Sequence, residues 1–186
     1  DQESDGFYLS HGWSFVLRWP LPLNVGNKTV LLSHFPATDA EMGFYRADLN
    51  LPMTSGAMTA RVRIDLTPRI SGFDTFSLHM VNLVCDSIRR AGNACTFTSP
   101  SGRLLVDLDR TFANGESLTV DIYYHRNSGT QNRGFYYHPR GTQGIPHAIC
   151  YSTTEPSDAR YWMPCFDEPW DKAERGCAVN ITTPDS

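Results

Sequence analysis

From Thr59 to Leu66 the chain alternates polar and apolar residues without a break, Thr-Ala-Arg-Val-Arg-Ile-Asp-Leu. A period of two puts successive side chains on opposite faces of an extended backbone, so Ala60, Val62, Ile64 and Leu66 share one face and Thr59, Arg61, Arg63 and Asp65 the other. A helix would scatter both sets around its circumference, and the segment therefore reads as a half-buried antiparallel strand. The same alternation runs through residues 46–51, 76–80 and 118–124. Turn-forming clusters separate these runs: Thr54-Ser55-Gly56, Arg90-Ala91-Gly92-Asn93, Ser99-Pro100-Ser101-Gly102 and Ala113-Asn114-Gly115. Many short strands and no convincing period of 3.6 predict an all-β fold, β-sandwich-like, with antiparallel sheets.

A chain of 186 residues supports one well-packed core. The first forty residues, with Trp13, Phe15, Trp19, Pro20 and Pro22, fit the strand pattern poorly. Residues 1–43 are therefore read as an extension packed on the domain, and 44–186 as the domain itself. Residues 127–146, rich in Gly, Arg, Gln and Tyr, read as a long surface connection. The net charge is −4 and the 16 Lys and Arg are scattered, which argues against nucleic acid as a partner. No run approaches the roughly 20 apolar residues of a membrane span. The polar, acidic start without an initiator Met suggests a processed or excised chain.

The six histidines, at 11, 34, 79, 125, 138 and 147, never fall at the i, i+4 spacing that presents two imidazoles to a metal on one helical face. Neither a Gly-x-Ser-x-Gly elbow nor a phosphate-binding Gly-rich loop is present. No catalytic residue and no metal ligand is assigned. Asp107 and Asp109 share a strand face and have the chemistry of paired carboxylates, but a solvated face beside Arg110 is the simpler reading. Cys165, between Pro164 and Phe166, reads as a packed thiol rather than a nucleophile. Five cysteines leave at least one thiol free, and the other four can form up to two disulfides. Cys150 and Cys177 could meet across neighbouring strands, whereas Cys85 and Cys95 flank a hairpin without standing directly opposite. On this ground export to an oxidising compartment is expected.

One segment is far more specific: Asp158-Ala159-Arg160-Tyr161-Trp162-Met163-Pro164-Cys165-Phe166-Asp167-Glu168-Pro169-Trp170-Asp171-Lys172-Ala173. Arg160 brings a five-donor fork, Asp167, Glu168 and Asp171 bring acceptors, and Pro164 and Pro169 stiffen the backbone on either side of Cys165. Trp162 and Trp170 can screen such an ion network from water. A loop built this way is rigid and suited to presenting a surface.

The segment resembles the signature closing the amino-terminal domain of M1 (gluzincin) zinc aminopeptidases, and Gly134-Phe135-Tyr136-Tyr137 and the strands of residues 44–124 are similar to the same domain. The resemblance implies a saddle-shaped β-domain in which Arg160, Pro164, Cys165, Asp167, Glu168 and Pro169 are structural. It implies that Glu155, in Thr153-Thr154-Glu155-Pro156, reaches the substrate cleft and holds the peptide's free α-amino group, although Thr154 departs from the Thr-Gln pattern of some members. A carboxylate suits a cationic amine in a water-poor cleft. Zinc and its His-Glu-x-x-His ligands would belong to a catalytic domain absent here, so no cofactor is expected in this fragment, which alone should be inactive. The implied partners are that catalytic domain and the amino terminus of a peptide. The competing expectation is a stand-alone β-module that binds protein or carbohydrate.

Overall fold

A computed structural model describes residues 38–128, 133–171 and 173–184, together with the backbone of four short strands before them. The chain divides into two compact units, Asp1–Ala37 and Thr38–Ser186. In the first, β1 (Leu9–Ser10) pairs antiparallel with β2 (Gly12–Trp13), and β3 (Pro22–Val25) with β4 (Lys28–Leu31). The expectation that residues 1–43 pack on the domain falls largely outside the described residues.

The second unit holds β5 (Ala40–Asn50), β6 (Met58–Pro68), β7 (Phe73–His79), β8 (Val84–Arg90) and β9 (Asn93–Thr98). It continues with β10 (Arg103–Phe112), β11 (Leu118–Arg126), β12 (Phe135–His138), β13 (Ile149–Ser152) and β14 (Cys177–Thr182). Eight of these form one sheet in the order β14-β5-β6-β11-β8-β9-β10-β7. Every neighbouring pair is antiparallel except β14 and β5, which run parallel from Cys177↔Tyr45 to Thr182↔Asn50. A parallel neighbour cannot be reached through a tight turn, and here the return path is the whole of residues 51–176.

The alternation in the sequence becomes alternation in burial. Val62 and Ile64 on β6, Val120 and Ile122 on β11, and Leu104 and Val106 on β10 are fully buried. Strands from β5 across to β7 contribute to one apolar cluster, around which the sheet curls, while the edge strand β14 adds no buried residue to it. The outer face carries the charges: Arg61 and Arg63 converge on Asp121 at 2.7 and 2.9 Å. Burial of Asp121 opposes its ionisation, but hydrogen bonds from Arg63 and Arg61 win and hold its pKa below the usual value. Between β8 and β9, Ala91 (φ 48°) and Gly92 (φ 88°) make a two-residue turn whose twist matches the flanking strands.

Asp107 and Asp109 do not work as a pair. Asp107 accepts a hydrogen bond from the Thr96 hydroxyl at 3.2 Å, while Asp109 accepts from Arg90 and, at 2.9 Å, from Asn93. Arg90 holds Asp109 well below the usual carboxylate range, and Arg110 turns instead to Glu116. All five cysteines are free. Cys150 lies on β13 and Cys177 on β14, in different sheets, while Cys95 stands opposite Ile88 and Cys85 opposite Tyr124.

The connection expected over residues 127–146 contains an element that its Gly- and Arg-rich composition conceals. Within it, β12 pairs with β13 in a two-stranded sheet from Phe135↔Ser152 to His138↔Ile149. Tyr151 stacks between Tyr136 (4.8 Å) and His138 (5.7 Å), and such cross-strand ring pairs stabilise a strand pair that propensity alone would not favour.

Candidate functional site

The proline-bracketed segment follows β13 and is bolted to the open end of β7. His79, the last residue of β7, exchanges backbone hydrogen bonds with Cys165: His79 N–H donates to the Cys165 carbonyl (2.8 Å) and Cys165 N–H to the His79 carbonyl (3.2 Å). The imidazole, only 2% exposed, adds a second lock. Asp167 N–H donates to His79 Nδ1 at 3.1 Å, so Nδ1 carries no proton and the ring's hydrogen sits on Nε2. Nε2, which carries that hydrogen, lies 3.2 Å from Glu168 Oε1. Burial, followed by the Arg160 and Arg103 cations, pushes the His79 pKa down to about 4 against the pull of Asp167, which keeps the ring neutral at ordinary pH.

Arg160 closes the loop on itself. Its Nε and its backbone N–H both donate to Asp167 Oδ2 (2.9 and 3.1 Å), and a terminal nitrogen donates to the Asp167 carbonyl. Two buried tyrosines brace it from the sheet. Tyr45 on β5 accepts from Phe166 N–H at 3.0 Å, and Tyr124 on β11 donates to the Trp162 carbonyl at 3.0 Å. Cys165 is 4% exposed and burial raises its thiol pKa well above the usual value, so it packs rather than attacks.

The expected network thus divides between two partners: Asp167 serves Arg160, Glu168 serves His79, and Asp171 accepts from the Thr38 hydroxyl instead. Pro164 and Trp162 are buried, whereas Pro169 and Trp170 are exposed; Lys172 lies outside the described residues. His79 was concealed in the sequence as one polar letter in an alternating strand, and its partner at Asp167 is 88 positions away.

Glu155 stands apart from this network, exposed on a tight turn just after β13. Thr153 N–H donates to the Gly134 carbonyl (3.0 Å), and Asp158 N–H donates back to the Thr154 carbonyl (3.0 Å), closing the turn around Glu155 and Pro156. The Glu155–Pro156 peptide is cis. Asp158, 8% exposed, accepts from Arg133 Nε at 2.9 Å, and Arg133 lies over the Tyr161 ring. Gly134 sits at φ 75°, and a Cβ there would come within 2.5 Å of the Asp158 carbonyl oxygen and 2.6 Å of Tyr161 Cβ. Only glycine permits so close an approach. Among the described residues Glu155 makes no hydrogen bond or ion pair, and no three His, Cys, Asp or Glu converge as metal ligands.

Fold and loop together define a class: a curled all-β domain presenting a rigid, proline-bracketed loop with a free carboxylate beside it. The chain belongs to the Peptidase M1 N-terminal domain family, whose sequence profile matches residues 41–186. In structure it is similar to the M1 zinc metallopeptidase of Deinococcus radiodurans at TM-score 0.61, with 20% identity over 82% of this chain and 35% of that one. A mutant of the Deinococcus enzyme bound to a Tyr-Ser-Ala substrate gives TM-score 0.63 and 18% identity, covering 81% of this chain and 34% of that one. A two-domain M1 zinc metallopeptidase mutant bound to L-tryptophan gives 0.62, 19% identity, 81% and 35%. The chain therefore spans about a third of the length of these structures. No curated protein matches it in sequence.

Proposed function

We propose that this domain completes the substrate cleft of a zinc aminopeptidase, supplying one wall and, through Glu155, a contact to the free α-amino group of the peptide. The observation that carries the reading is the placement of Glu155: an exposed carboxylate with no partner among the described residues, on a turn fixed at both ends. An ammonium group meeting such a carboxylate forms a charge-assisted hydrogen bond, strengthened where a second domain excludes water. Tyr151 (46% exposed) and Trp170 (41%), on either side of Glu155 in sequence, leave apolar surface for that domain to cover.

The described residues do not supply a set of zinc ligands, so zinc and the hydrolytic groups are assigned to the part of the parent enzyme outside this chain. What this chain does is bind and orient. Its carboxylate attracts the amine, and the rigid loop keeps that carboxylate in place while the rest of the cleft acts on the peptide bond.

The test is hydrolysis of aminoacyl-fluorophore substrates by this chain and by the longest product of its gene, with zinc added. Activity is expected only in the longer protein, with KM raised about tenfold or more by Glu155→Ala, the size of a lost hydrogen bond to a charged group. Inactivity of both would point instead to the stand-alone binding module.

A further inference from the structure

We infer that Arg133 and Asp158 are a positioning pair that fixes Glu155 in register with its ligand, an assignment that rests on the reading of Glu155 given above. The dipeptide Arg133-Gly134 holds both ends of the turn at once. The Gly134 carbonyl takes the Thr153 N–H at the start (3.0 Å), and the Arg133 side chain takes the Asp158 carboxylate at the finish (2.9 Å). Asp158 transmits the constraint inward, because its own N–H closes onto the Thr154 carbonyl (3.0 Å) and its carbonyl accepts from Tyr161 N–H (3.3 Å). The turn between these anchors contains Thr154, Glu155, Pro156 and Ser157, and no other described contact ties the Glu155 side chain down.

The two partners differ in exposure in a way that suits positioning rather than core stability. The Asp158 side chain is 11% exposed and the Arg133 side chain 60% exposed. A mostly solvated arginine contributes little to folding but still selects one geometry of a buried carboxylate, and its fork over the Tyr161 ring narrows that choice further. A displacement of the turn by about an ångström is enough to weaken a contact made by a short carboxylate side chain at its tip.

The experiment uses the longest product of the gene and a thermodynamic cycle among Arg133→Ala, Asp158→Asn and Glu155→Ala, reading KM and kcat on aminoacyl-fluorophores. Arg133→Ala and Asp158→Asn should each raise KM several-fold with kcat changed less than about twofold, since an amine contact is made in ground and transition states alike. In the Glu155→Ala background neither should raise KM further, because the pair acts through that carboxylate. Arg133→Lys should recover part of the loss. If Glu155→Ala raises KM while the Arg133 and Asp158 variants are silent or add their effects on top of it, the positioning role is overturned and the role of Glu155 stands. If Glu155→Ala is itself silent, both fall. Should Asp158→Asn fail to fold, the exposed Arg133 carries the cycle alone.

Discussion

His79 makes the domain's stability depend on pH between about 6.5 and 4. In the native structure the ring is neutral and buried, with Nδ1 accepting from Asp167 N–H, Nε2 3.2 Å from Glu168 Oε1 and the Arg160 and Arg103 cations nearby. Its pKa is lowered from 6.5 to about 4, so between those values the unfolded chain binds a proton that the native chain refuses. Stability is therefore fully present above pH 6.5 and is lost as pH falls towards 4. At roughly 1.4 kcal/mol for each tenfold change in proton affinity, the loss is about 3 kcal/mol, a large share of a typical domain's stability. Asp109, Asp121 and Glu116, held low by their arginines, lose stability only at lower pH, and Asp171, raised by burial, works in the opposite direction. Urea unfolding of the 186-residue chain at intervals from pH 7 to 4 measures the slope. His79→Gln retains a donor and an acceptor but does not titrate. It should lower stability by about 1–3 kcal/mol at pH 7 and flatten the slope. If the variant's stability falls as steeply as the native chain's across this window, the neutral imidazole is not what the acid attacks.

Other perturbations follow from the same geometry. Gly134→Ala forces a Cβ against the Asp158 carbonyl at a left-handed backbone position and should cost about 2–4 kcal/mol in urea denaturation. Tyr124→Phe leaves the Trp162 carbonyl without its buried donor and should cost about 1–2 kcal/mol, with the urea slope m unchanged. Alkylation of the native chain should spare Cys165 long after exposed Cys177 has reacted, while denatured, unreduced chain should show all five thiols; a lower count would reveal a disulfide.

The long strands were legible because burial on one face of a sheet forces a period of two, and β6 and β11 keep that period over their full length. The curl and the parallel β14 were not, since a strand's own letters do not say which neighbour it takes. The pair β12 and β13 was half hidden for a different reason. Its stability comes from cross-strand stacking of Tyr136, Tyr151 and His138, which joins residues on both sides of a Gly- and Pro-containing connection. Glu155 and the Arg160 loop were singled out by their resemblance to a family motif, whereas residues that hold them, His79, Tyr45, Tyr124 and Arg133, come from distant strands and turns. Each of those looks ordinary in its own segment and gains its meaning from a partner brought close only by the fold.

The pairing of β14 with β5 also sets an order of events during synthesis. Asn180 hydrogen-bonds to Asp48 across 132 positions, joining the last strand of the sheet to its first. While the chain is being made, β6 can cover one side of β5 within moments, but the other side has no native neighbour until residues 177–182 have left the ribosome. For most of the domain's translation a nascent chain therefore displays a bare strand edge, the kind of template that captures other chains. The six-residue β14 then takes over the edge from the eleven-residue β5, leaving a shorter template, and a truncation that removes it should yield a product more prone to aggregate even though nearly all of the apolar core is encoded.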